Sequence, residues 1–158
     1  MNVKEERRKV LIVDDEERLR GVLEARVVAM GHEVLLAVNG EEALASALRD
    51  SQALILLDVM MPELDGFSVA RMLKDSPETS HIPIVMVTAL GDVEGRVRAL
   101  EAGADDFLVK PVDPTELRAR VQSLLKVKAY NDYMRYHQEE LELAVAERTK
   151  DLRSALER

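Results

Sequence analysis

The chain has 158 residues, 47% of them apolar, and a net charge of −8. That length supports one ordinary domain with a real core, and the apolar fraction excludes a disordered polymer. The lack of cysteine excludes disulfides and thiolate metal sites and fits a reducing, cytoplasmic setting, and the acidic balance argues against direct nucleic-acid binding.

Residues 1–8 read as a charged tail; no apolar h-region follows Met1, so no secretory signal is visible. Val10–Val13 is the first expected strand. It is apolar without alternation, as a strand buried on both faces should be. Leu19, Val22, Leu23, Val27 and Met30 then share a helical stripe that Gly31 stops. Val34–Val38 is rich in valine and leucine and reads as the second strand. Ala43, Leu44, Ala47 and Leu48 form the next helical stripe, and Ala53–Leu57 the third strand. Val69, Met72 and Leu73 mark a helix that ends before Pro77. Ile84–Val87 is the fourth strand, and Val93, Val97 and Leu100 mark a helix closed by Gly103. Gly95 inside it costs about 1 kcal/mol against alanine, which predicts a soft helix. Phe107–Val109 is the fifth strand. This alternation predicts an open parallel α/β sheet with helices on both faces.

The last segment differs. Asp113 and Pro114 start a helix that meets no further proline or glycine through Arg158. Heptads place Leu124, Asn131, Gln138, Val145 and Leu152 at a, and Val127, Met134, Leu141, Arg148 and Ala155 at d. The seam is partly polar, which fits a marginal two-stranded coiled coil with Asn131 setting register. A solvated linker helix that packs on nothing is the plainer alternative. The helix lacks a stop signal, so an output domain is expected to follow it. No apolar run approaches the roughly 20 residues of a membrane span.

Three fragments, Val10–Asp15, Leu54–Asp58 and Phe107–Pro111, are apolar runs that end in charge. If they are neighbouring parallel strands, Asp14, Asp15, Asp58 and Lys110 share one pocket at the strand ends, where open α/β sheets bind ligands. Clustered carboxylates raise one another's pKa, and a hard divalent cation relieves the repulsion. Mg²⁺ needs oxygen ligands and keeps several waters; Asp15, Asp58 and the Met60 carbonyl are the expected direct ligands, with Asp14 acting through water. The Lys110 ammonium and Thr88 hydroxyl can each meet a phosphoryl oxygen. Taken singly, these residues have ordinary explanations: a cap or turn, a surface lysine, a strand-end threonine.

The sequence closely resembles the receiver domain of bacterial two-component response regulators. The resemblance covers residues 9–127 and rests on Asp14-Asp15, the stretch Leu57–Gly66, Thr88-Ala89 and the stretch Ala104–Pro111. It implies a flavodoxin-like fold with a five-stranded parallel sheet in the order 2-1-3-4-5. It implies that a histidine kinase phosphorylates Asp58 with Mg²⁺ bound, that Lys110 and Thr88 read the phosphoryl group, and that Thr88 and Phe107 switch together. Such a chain modifies itself and turns over no free substrate. Met60 and Leu90 are apolar beside the pocket and cannot orient a water, so a long phosphoryl lifetime is expected.

Residues 128–158 resemble helical linkers between receivers and output domains. The stretch Glu140–Leu152 is similar to linkers before cyclic-di-GMP phosphodiesterase or cyclase domains and before sensor-kinase modules. A homodimer is expected through the face of the fourth helix, fifth strand and fifth helix, through the coiled coil, or both. Two competing readings are a constitutive dimerisation scaffold with a disused pocket and an aspartyl phosphatase. The intact acid set argues against the first, and Met60, where such phosphatases usually carry an acid, argues against the second.

Overall fold

The computed structural model describes residues 7–89, 91 and 93–157. Strands β1 (Lys9–Val13), β2 (Glu33–Ala37), β3 (Leu54–Asp58), β4 (Ile84–Thr88) and β5 (Asp106–Val109) alternate with helices α1 (Glu17–Ala29), α2 (Gly40–Arg49), α3 (Gly66–Asp75), α4 (Val93–Glu101) and α5 (Pro114–Leu156). The sheet order is β2-β1-β3-β4-β5, and every pairing is parallel. This is the doubly wound, flavodoxin-like order, with a chain reversal beside β1.

The central strands sort their side chains to two faces with period two. Leu11, Val13, Ile55, Leu57, Ile84 and Met86 meet α2, α3 and α4 through Ala43, Ala47, Val69, Ala70, Leu73 and Ala99. Val10, Ile12, Leu54, Leu56, Val85 and Leu108 meet α1 and α5 through Leu23, Val27, Leu117, Val121 and Leu125. Both faces of the central strands are therefore dry, which is why their sequences show no polar alternation.

Helix boundaries follow local chemistry. Asn39, Asp65 and Asp113 cap α2, α3 and α5 by accepting backbone N–H bonds from Glu42, Ser68 and Thr115. Gly31 and Gly103 adopt φ of +91° and +93° just after α1 and α4, a conformation that glycine enters without a Cβ penalty.

The apolar stripes are narrower than periodicity predicts. Val22, Leu48 and Met72 are exposed. In α4 the expected stripe is reversed: Val93, Val97 and Leu100 face solvent, while Gly95, Ala99 and Ala102 are buried. Both sets repeat with helical spacing, so the pattern alone cannot choose between them. The small residues win because they let the helix axis approach the sheet closely. Gly95 is thus a packing position. Helix α5 runs 43 residues; Leu117, Val121 and Leu125 pack on the sheet, and most of the helix beyond Asp132 is exposed.

Candidate functional site

Strand register builds the site. Val13 lies opposite Leu57, so Asp14 emerges beside Asp58 at the carboxyl edge of the sheet. Thr88 lies opposite Val109, and the Lys110 N–H donates to the Thr88 carbonyl at 2.8 Å, which holds the lysine at the same edge. Asp14, Asp15 and Asp58 each offer a carboxylate oxygen, all within 4.8 Å of one another. Lys110 Nζ donates to Asp58 Oδ1 at 2.9 Å. The Lys110–Pro111 peptide is cis.

The surroundings are dry on one side and open on the other. Asp14, Asp58 and Thr88 are buried, whereas Asp15 is exposed. Asp14 Oδ1 accepts the Glu16 N–H at 2.8 Å, its backbone carbonyl accepts Arg20, and its Oδ2 is buried without a hydrogen-bond partner. Burial pushes the Asp14 carboxyl up to about 6; the Glu16 N–H opposes this and the negative charge of Asp58 adds to it. Burial likewise raises Asp58, against the Lys110 hydrogen bond and charge that lower it. An orphaned buried oxygen beside two further carboxylates is a donor set that fits a hard divalent cation.

Neighbouring residues complete the cleft. Gly66, at the start of α3, packs against β3: a Cβ there would lie 2.3 Å from the Asp58 carbonyl oxygen and 2.8 Å from Val59 Cα. Only glycine fits this approach. Met60 is largely exposed at the cleft's margin; Leu90 lies outside the described residues. Phe107 is half-buried against the core, and the Arg96 guanidinium of α4 sits 5.1 Å from its ring centroid. Neither the Gly66 approach nor the Arg96–Phe107 contact was expected from the sequence: the stretch Leu57–Gly66 marks the region but not how closely Gly66 meets β3, and the Arg96–Phe107 contact joins two elements across a turn.

Residues 10–122 match the model of the response regulator receiver domain, and the chain belongs to that family. Receiver domains are the phosphoacceptor modules of two-component signalling and work with histidine kinases. The chain is 50% identical over 127 residues to the response regulator PleD of Caulobacter vibrioides, covering 80% of this chain and 28% of that protein. It is 48% identical over 121 residues to the ycf27 protein of Porphyra purpurea, covering 77% of this chain and 49% of the relative. It therefore spans half or less of the curated relatives it matches. Among solved structures, a response regulator from Chloroflexus aurantiacus superposes with a TM-score of 0.74 at 36% identity, covering 77% of this chain and 99% of that one. The receiver domain of the Pseudomonas aeruginosa sensor histidine kinase PA1611 superposes with a TM-score of 0.72 at 31% identity over 77% and 99% of the two chains, and holds a magnesium ion in its active-site cleft. Among the described residues no helix is long and apolar enough to cross a membrane.

Proposed function

We propose that Asp58 accepts a phosphoryl group from the phosphohistidine of a histidine kinase and that the resulting acyl phosphate controls an output through α5. The carrying observation is Lys110 Nζ, 2.9 Å from Asp58 Oδ1 within a cluster of three carboxylates. Asp58 and Asp15, with the Met60 carbonyl, would hold Mg²⁺, and Asp14 would act through water. Bound there, the cation supplies charge neutralisation for a phosphoryl group. An Asp58 carboxylate oxygen attacks phosphorus; the O–P bond forms as the N–P bond breaks, and the departing imidazole keeps the bonding pair. Charge spreads over the equatorial oxygens, so the receiver's contribution is positioning and electrostatics. Lys110 leaves its ion pair with Asp58 to meet one such oxygen, and the Thr88 hydroxyl meets another. Phe107 turns inward as Thr88 moves, which changes the surface of α4, β5 and α5.

The homodimer reading has geometric support. Val127, Met134, Leu141, Val145 and Leu152 form one exposed stripe along α5. Arg120, which pairs with Asp106 of β5 at 2.8 Å, lies near the same azimuth. The seam thus points toward β5 at the sheet's edge, and Val93, Val97 and Leu100 of α4 are exposed as well. The likeness of Glu140–Leu152 to linkers before cyclic-di-GMP phosphodiesterase or cyclase domains makes cyclic-di-GMP metabolism one output to test. Met60 offers no polar group to orient water, which supports slow dephosphorylation.

The test is incubation with acetyl phosphate and Mg²⁺, followed by intact-mass measurement. The wild-type chain should gain one phosphoryl group, and Asp58→Ala none. Equal labelling of both proteins would overturn the assignment.

A further inference from the structure

At the opposite end of the sheet from Asp58, α5 continues past its last buried leucine, Leu125, over a cavity of about 560 Å³. Arg8, Gln52, His81, Lys128 and Asp132 are among the residues that line it. Among the described residues, no apolar side chain of α5 beyond Leu125 is buried. What spans the gap is charge. Asp132 Oδ2 accepts from Arg8 at 3.4 Å, and its Oδ1 accepts from Lys128, one turn earlier. Lys128 is only 5% exposed although it is a lysine. Arg8 is itself fixed, because its backbone N–H donates to His32 Nδ1 at 3.2 Å and its carbonyl accepts the Glu33 N–H at 2.9 Å.

We infer that Arg8, Lys128 and Asp132 form a latch that makes the next turn and a half of α5 part of the rigid receiver body, so that the helix leaves the domain at a fixed azimuth after Asp132 and not at residue 127. The latch has a functional geometry. Leu117, Val121, Leu125, Lys128 and Asp132 form the stripe that faces the domain, and the exposed a/d stripe lies on the order of 130° around the helix from it. The latch and a paired seam can therefore be satisfied together. Arg8 directly precedes β1, and Asp14 directly follows it, so one strand joins the latch to the acid cluster. Burial of Asp132 raises its carboxyl, but the Lys128 bond and the charges of Lys128, Arg8 and Arg135 outweigh that and hold it below its ordinary range. The same carboxylate compensates two cations, so its loss strands a buried ammonium.

The inference does not depend on Asp58 chemistry, and its test needs no phosphodonor. Amide hydrogen exchange would be followed in the full chain at matched concentration, comparing residues 126–136 with residues 117–122. Asp132→Ala should speed exchange in the distal stretch about tenfold or more, and Arg8→Ala about threefold, with the proximal stretch unchanged. The double variant should exchange no faster than Asp132→Ala alone, because both changes remove one shared interaction. Asp132→Asn, which keeps the side chain's shape, should behave like Asp132→Ala. Unchanged distal exchange in Asp132→Ala and Asp132→Asn, or fully multiplicative effects in the double variant, would overturn the latch.

Discussion

Replacing Asp14 by asparagine isolates the electrostatic cost of the acid cluster. Asp14 is fully buried, and its Oδ2 has no hydrogen-bond partner. Its carboxyl titrates at about 6 in the folded protein against 3.8 when exposed. From pH about 4 to about 6 the folded chain therefore holds a proton that the unfolded chain has released. The group's contribution to stability is complete below about pH 4 and is lost as pH rises to about 6. A gap of about two pH units corresponds to about 3 kcal/mol of destabilisation at pH 7 without a divalent cation. Asparagine removes that charge and keeps the acceptor that meets the Glu16 N–H, but it adds a buried amide nitrogen that costs about 1 kcal/mol unless it finds an acceptor. The net expectation is a gain of about 2 kcal/mol, or about 4–8 °C in Tm for a chain of this size. Thermal melts in EDTA at about pH 7.5 and about pH 4 test this, and a parallel series with Mg²⁺ should raise the wild-type Tm more than that of the variant. An Asp14→Asn protein that melts below wild type at pH 7.5 in EDTA, or a gap equally large at pH 4, would refute the reasoning.

Lys110→Met should slow labelling of Asp58 by acetyl phosphate about 10²–10³-fold, as loss of one transition-state donor does, and a rate within threefold of wild type would show that Lys110 stabilises nothing. Gly66→Ala should destabilise the fold by about 2 kcal/mol or more in urea melts, because its Cβ meets β3 backbone. Gly21→Ala, with nothing within 4 Å of the new Cβ, should stabilise α1 by about 0.5–1 kcal/mol, and the two glycines behaving alike would contradict the packing described. Leu141→Glu places a charge in the exposed stripe of α5 and should shift sedimentation of the beryllofluoride-treated chain to monomer without affecting modification at Asp58; an unchanged sedimentation coefficient would place the dimer contact elsewhere.

The strands, the helix order and the acid cluster were legible in the sequence because each rests on local chemistry. Uninterrupted apolar runs mark strands covered on both faces, Gly31, Gly103 and the capping Asp113 mark helix ends, and parallel pairing brings the ends of those runs to one edge. The long helix was equally plain, since nothing between Pro114 and Arg158 can stop it. What only the tertiary structure decided are questions of azimuth and of distance across the chain. Val93, Val97 and Leu100 obey the same helical spacing as Gly95, Ala99 and Ala102, and close approach to the sheet chose the smaller set. Which helices share a face, why Gly66 must lack a side chain, and how Arg8 reaches Asp132 from 124 positions away depend on packing between elements, which no local pattern encodes.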